Sequence, residues 1–287
     1  MGERDAEYEA VLVRKVTGAL KMAADSLAPC RVSTAREPVR IGHNRREHRA
    51  GVTKLGHNPD GPEAPWVDVV RVDREEGETL AVVYATAAHP VNLRHLAFSA
   101  EFPGYASRHL SESTDGAVAL FLQGCCGDIN CAPIDNTLAT TETMGRILGN
   151  AASTAALRAS EFEGAPIRAK AQTIQLPQTV PSVEEAEAAL SEQRERVKAL
   201  EDERGMTPFL LKQHAAQIGW AEDYLEAARA GGERTESFEV GCVRIGDLAV
   251  LREEQDRRMD RHRLAQSRRR QLHSPFECPR HLSHERD

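Results

Sequence analysis

Three apolar runs, at residues 67–72, 80–88 and 117–122, constrain this chain more than any other feature. Each has the length of a strand, is rich in Val, Leu and Ala, and is bounded by turn-forming residues. The middle run is almost continuously apolar, the pattern of a strand buried on both faces, and residues 117–122 read the same way. Helical patterns alternate with these runs. The expected class is therefore α/β, a mixed α+β layered domain.

The remaining elements follow from periodicity and punctuation. Val11, Leu12, Val16, Leu20 and Ala23 fall at helical spacing and predict a helix over 5–27. Opening directly on an amphipathic helix suggests that upstream sequence is missing and the domain is incomplete. Residues 31–41 predict a strand, 42–65 a long polar loop, and 167–176 another strand. A short helix is expected from Gly104–Tyr105, and a longer one over 141–159, capped by Thr140. Ser182 and Glu185 form a capping box that opens a helix to about residue 203. Thr207-Pro208 opens a second one, ending at Gly231-Gly232. Together they predict a charged helical hairpin inserted at 182–232. Strands at 238–243 and 248–251 turn around Gly246-Asp247 and close a domain spanning 1–251. Residues 252–287 hold ten arginines and no lysine. They read as a disordered tail, either a solvated basic extension or out-of-frame coding sequence.

Composition removes several function classes. With 37 Lys+Arg against 44 Asp+Glu the net charge is −7, so a globally basic nucleic-acid binder is not expected. No apolar run is long enough to span a membrane, and the charged start MGERDAEYEA has no signal-peptide core, so the chain as given is expected in the cytoplasm. Six cysteines are too few for a disulfide scaffold.

Four segments can carry chemistry. In Ala88-His89-Pro90, a histidine ends a buried strand. It reads as a metal ligand, a general base, or a core-edge histidine bonded to backbone. In Gln123-Gly124-Cys125-Cys126-Gly127-Asp128-Ile129-Asn130, a buried strand runs into small residues that allow a sharp turn. There a thiol is a candidate nucleophile, Cys125, Cys126 and Cys131 are candidate zinc ligands, and buried small cysteines beside an Asp turn are the plain alternative. His43-Asn44-Arg45-Arg46-Glu47 offers arginines to grip a carboxylate or phosphate, or is a solvated charge run. Glu101, ahead of a helix start, complements the helix dipole or supports His89.

In this order, HNRRE, AAHPVNL, SAEFPGYASRHL and VALFLQGCCGDINCAP resemble the neutral/alkaline non-lysosomal ceramidase family, especially its shorter bacterial relatives. The resemblance covers roughly residues 1–251. It implies zinc-dependent hydrolysis of an N-acyl, ceramide-like amide bond, with a lipid or small-molecule amide as substrate. It makes His89 a zinc ligand and Arg45 an arginine lining the active site. Cys126 falls where the ceramidases proper place an active-site serine, and Asp128 continues that catalytic loop. Asn44, Gly124 and Asn130 are the implied substrate-binding residues. The family's upstream His-x-His-Ser-Gly motif, its Pro-Gly-Glu segment and a later tyrosine ligand have no counterpart in this sequence. The activity is accordingly expected to be impaired. A non-catalytic interaction module, or a cysteine hydrolase using Cys126 with His89 as base, are the alternatives.

Overall fold

The computed structural model describes residues 5–49, 52–95, 97–162, 166–201 and 208–253. In chain order the elements are α1 (Ala6–Asp25), β1 (Cys30–Pro38), β2 (Gly42–Asn44), β3 (Arg46–Arg49), β4 (Val52–Leu55), β5 (Trp66–Arg74), β6 (Thr79–Thr86), α2 (Glu101–Glu112), β7 (Val118–Gln123), β8 (Ile129–Cys131), α3 (Leu138–Arg158), β9 (Ser160–Glu161), β10 (Arg168–Gln178), α4 (Val183–Glu201), α5 (Pro208–Ala230), β11 (Arg234–Ile245) and β12 (Leu248–Glu253). The class is mixed α/β, as expected. The chain divides into two compact units, Met1–Leu27 with Thr173–Glu239, and Ala28–Gln172 with Val240–Asp287.

The second unit is built on a five-stranded sheet in the order β7-β6-β5-β1-β9. β1 and β5 pair antiparallel along their full lengths, from Cys30 opposite Arg74 to Pro38 opposite Trp66. β5 turns through Gly77 into an antiparallel β6, whereas β6 and β7 run parallel. A parallel pair needs a crossover, and α2 supplies it. α2 and α3 pack against one another, with α3 over β1 and β5. Apolar side chains from both layers, including Val67, Val69, Val82, Tyr84, Phe102, Leu110 and Leu148, form one core. Tyr84 ties the layers together: its hydroxyl donates to the Pro103 carbonyl at 2.8 Å and lies 2.7 Å from the Ser107 hydroxyl. The close approach of α2 to α3 depends on Gly145, where a Cβ would sit 2.8 Å from the Phe102 carbonyl oxygen and 3.1 Å from Ala106 N.

In the first unit, α4 and α5 bury Ala186, Leu190, Ala221 and Leu225 against each other. Arg194 pairs with Glu222 and Arg229 with Glu187, both at 2.8 Å. Each step along one helix thus matches a step back along the other, which makes the pair an antiparallel hairpin. The capping box forms as its sequence requires: Ser182 Oγ accepts from Glu185 N at 3.2 Å while Ser182 N donates to Glu185 Oε2 at 2.8 Å. Gly231, with φ +65°, ends α5. The segments 252–287 and 207 extend beyond or lie outside the described residues, apart from Arg252 and Glu253 at the end of β12.

Several expectations need correction. β7 is not a buried strand but an edge of its sheet among the described residues. Val118, Leu120 and Leu122 along one of its faces are exposed, Leu120 by 48%. An apolar run reports that side chains suit a pleated surface, not how many neighbours the strand acquires. α3 starts earlier, with Thr137 rather than Thr140 as its cap: the Thr137 side chain accepts from Thr140 N. α2 starts at Glu101, before Gly104. The 42–65 segment contains β2, β3 and β4 rather than a structureless loop. α1 forms as expected, capped by Asp5, but no residue in it is buried.

Candidate functional site

The site is assembled where three segments meet beyond the ends of β6 and β7. His89 lies three residues past β6. Its N–H donates to the Ile129 carbonyl at 3.0 Å and its carbonyl accepts from Cys131 N at 3.2 Å, a single parallel bridge across from Asn130. On the other side β2 pairs antiparallel with β8, setting His43 opposite Asn130 and Asn44 opposite Ile129. The 129–131 segment is thereby clasped from two sides. Gly42 permits this closeness, since a Cβ there would lie 2.6 Å from the Asn130 carbonyl oxygen and 3.1 Å from Ala88 Cβ. Gly124 closes the strand exits by donating its N–H to the Thr86 carbonyl at 3.0 Å, and the Gln123 side-chain amide donates to the Ala88 carbonyl at 3.2 Å.

Arg45 holds the 124–130 loop. Its backbone N–H donates to the Asp128 carbonyl at 2.7 Å, Nη1 donates to Asn130 Oδ1 at 3.0 Å, and Nε and Nη2 donate to the Gly127 carbonyl at 3.2 and 2.9 Å. Arg46 reaches the same carbonyl at 2.9 Å. Asn44 is 2% exposed and its amide is engaged within the protein. Nδ2 donates to Asp128 Oδ2 at 3.0 Å and to the Pro62 carbonyl at 2.9 Å, and Oδ1 accepts from Arg46 N at 3.0 Å. Its backbone carbonyl accepts from Asn58 N at 2.9 Å, so the 56–62 loop is clamped over it.

Cys126 lies inside this clasp, 2% exposed, with Sγ 3.4 Å from His89 Nδ1. Burial pushes its thiol pKa up, while the Arg45 charge pulls it down. Cys125 beside it is exposed. The sequence-expected residues His89, Arg45, Cys126, Asp128, Asn44, Gly124 and Asn130 thus gather at one place. A group of three His, Cys, Asp or Glu side chains able to hold a metal does not occur among the described residues.

Glu101 is joined to the loop that follows His89. Its Oε1 accepts from Leu93 N at 2.5 Å, and its Oε2 is buried without a hydrogen-bond partner among the described residues. Its φ of +51° is left-handed, an uncommon conformation for a residue with a Cβ. Nearby, His43 and His57 lie with ring centroids 4.7 Å apart. The pKa of His43 is lowered, first by burial and then by His57, against an upward pull from Glu63.

Among solved structures the chain superposes on neutral ceramidase from Pseudomonas aeruginosa, with a TM-score of 0.52, 20% identity and 81% of this chain covered. A ceramidase complexed with C2 gives a TM-score of 0.51, 16% identity and 80% coverage. The fold is ceramidase-like. The chain spans 41% and 42% of the lengths of these two proteins. No protein-family model matches the sequence, and no curated protein matches it.

Sequence reasoning missed the Arg46 contact, the Asn58 and Pro62 clamp on Asn44, and the bond from Glu101 to Leu93. Arg46 stands in the HNRRE segment and was legible as a charge. The 56–62 clamp had only its Gly, Asn and Pro content as a signal.

Proposed function

We propose that this chain is the ceramidase-like part of a zinc-dependent amidohydrolase that cleaves the N-acyl bond of a lipid-like amide. The observation that carries the reading is the convergence of Arg45, His89 and the 124–130 loop in one ceramidase-like unit, with Arg45 bonded to the loop and His89 against Cys126. His89 would supply one imidazole of the type zinc prefers, and the further protein ligands such an ion takes are not grouped with it among the described residues. When bound, zinc supplies a water of pKa near 7 and a Lewis acid for the amide carbonyl.

The protein's own residues prepare the rest of the site. Arg45, fixed by Gly127 and Asn130, brings a positive charge whose position is set before substrate arrives. A charge aimed at a developing oxyanion is worth several kcal/mol when it needs no reorganisation, roughly 3–4 by analogy with single oxyanion donors. Asn44 holds Asp128 in place, which keeps the loop turned toward His89. A second reading, a cysteine hydrolase with His89 as base, is favoured by the 3.4 Å contact. The burial of Cys126 weighs against it, because an attacking thiol must reach the carbonyl carbon.

The test is release of fatty acid from a fluorogenic N-acylsphingosine by the full chain, with zinc or after chelation, at micromolar protein over hours. Slow, zinc-dependent release that falls at least 100-fold in Arg45→Ala and His89→Ala supports the proposal. Hydrolysis that survives chelation and is abolished by alkylating Cys126 supports the cysteine reading instead. Release no faster than in His89→Ala identifies a non-catalytic module.

A further inference from the structure

Two guanidinium groups converge on one neutral oxygen beside the 124–130 loop. Arg45 Nε and Nη2 donate to the Gly127 carbonyl at 3.2 and 2.9 Å, and Arg46 Nη2 donates to the same oxygen at 2.9 Å. The two Nη2 atoms therefore stand at most twice that last distance apart, where like charges repel. Holding the loop accounts for Arg45, which also reaches Asn130 Oδ1 at 3.0 Å. It does not account for a second positive charge on a carbonyl that already accepts from the first.

The carboxylates close by are turned to other partners. Asp128 Oδ2 accepts from Asn44 Nδ2, and Asp128 shares the surroundings of the Cys126 thiol with Arg45. Glu47 follows Arg46 on β3, so it faces the other side of the strand, where it lies against Gly56. The donors of Arg46 other than Nη2 have no protein partner among the described residues. The space in front of this pair is open. Gly127 is exposed, and a Cβ built on it would meet nothing within 4 Å. Arg46 itself is half-buried, which weakens the screening of its charge by water and salt. A guanidinium with its planar fork unspent matches a carboxylate through two parallel hydrogen bonds. With Asp128 set against Arg45 and Arg46, one positive charge is left over. A carboxylate neutralises it, whereas a phosphate monoester brings nearly two negative charges.

We propose that Arg46, beside Arg45 on the Gly127 carbonyl, is the receptor for a carboxylate on the substrate, which makes the substrate class an anionic N-acyl amide of the N-acyl amino acid type. The inference rests on the amide-hydrolase reading and names its substrate. Arg45 keeps its bonds to Gly127 and Asn130, and Arg46 reads the amine half of the molecule. One carbon separates carboxylate from amide nitrogen in such a compound, so anchoring the first beside Gly127 holds the second at the loop that carries Cys126 and Asp128. Hydrolysis adds water to the acyl carbon, breaks the C–N bond and protonates the nitrogen, releasing a fatty acid and a free amino acid.

The test is isothermal titration calorimetry of the full chain in metal-free, low-salt buffer with two probes. N-octanoylglycine bears the carboxylate and N-octanoylglycinamide is its neutral isostere. We expect the glycine conjugate to bind at least tenfold tighter, with an advantage that shrinks as salt is added. Arg46→Gln brings the two affinities within threefold, Arg46→Lys restores part of the difference, and Arg49→Gln, at the exposed end of β3, keeps all of it. Matching far-ultraviolet circular dichroism of Arg46→Gln and the unaltered chain controls for folding, and the charge-retaining Arg46→Lys provides the comparison if Arg46→Gln fails to fold. Equal affinity for the two probes, an advantage that survives in Arg46→Gln, or no binding of either probe at millimolar concentration overturns the receptor. Tighter binding of N-octanoyl-O-phosphoethanolamine than of N-octanoylglycine overturns the choice of carboxylate. Octanoate release with added zinc is followed in parallel. Carboxylate-selective binding without hydrolysis of either probe overturns the functional reading and leaves the receptor standing. Hydrolysis of the glycinamide as fast as the glycine conjugate leaves the hydrolase standing and overturns the receptor.

Discussion

Asn44 is the residue whose replacement tests the architecture of the site most directly. It is 2% exposed and makes three side-chain hydrogen bonds: to Asp128 Oδ2 at 3.0 Å, to the Pro62 carbonyl at 2.9 Å and from Arg46 N at 3.0 Å. A bond to a charged acceptor contributes about 1.5–3 kcal/mol and a neutral one about 1 kcal/mol. Asn44→Ala removes all three and leaves partners beneath the 56–62 loop unsatisfied. The expected loss is about 3–5 kcal/mol, which for a unit of this size lowers Tm by roughly 10 °C. Urea unfolding of the full chain, followed by far-ultraviolet circular dichroism, measures it, with the m-value expected to stay the same. Asn44→Asp sharpens the test, since it sets a second carboxylate beside Asp128. Like charges at that distance raise the pKa of the pair above the unfolded value of about 3.9. The variant is therefore most stable below about 3.9 and loses stability as pH rises from there through the raised value, whereas Asn44→Ala shows no such added dependence. If Asn44→Ala lies within about 1 kcal/mol of the unaltered chain, or Asn44→Asp is as stable at neutral pH, the amide does not hold the loop and the reasoning is wrong.

Other consequences can be checked separately. Gly145→Ala should cost about 1–3 kcal/mol by forcing α2 from α3, although alanine is the better helix former; a stabilised variant would contradict the close approach. Iodoacetamide in metal-free buffer near pH 8 should modify exposed Cys125 well before Cys126, whose thiol is buried and held above its ordinary pKa, and peptide mass spectrometry reads the order. Because the His43 pKa is lowered, the unfolded chain binds more protons between the folded value and 6.5; the contribution of His43 is fully present above 6.5 and declines as pH falls through that window. His43→Gln should flatten this part of the stability–pH curve, and an unchanged slope would count against the assignment.

Much of the fold was legible in the sequence because its determinants are local. The Ser182–Glu185 capping box, the Gly231 stop and the Gly246-Asp247 turn act over a few residues, and each forms where its sequence places it. Apolar runs likewise marked β5, β6 and β7 as strands. The identity of the chemistry-bearing segments was legible too, since a histidine after one strand and small residues after another are patterns within single segments. Tertiary structure alone decided the rest. That β7 stands at an edge follows from the sheet order, and sheet order depends on pairing between distant segments. Arg45 meets Asn130 across 85 residues, Asn44 meets Asp128 across 84, and Cys126 meets His89 across 37. Short-range propensities carry no information about which of these side chains will face each other. The parallel pairing of β6 with β7 and the clasp of β2 on β8 do, because together they bring the ends of three separated segments to one point.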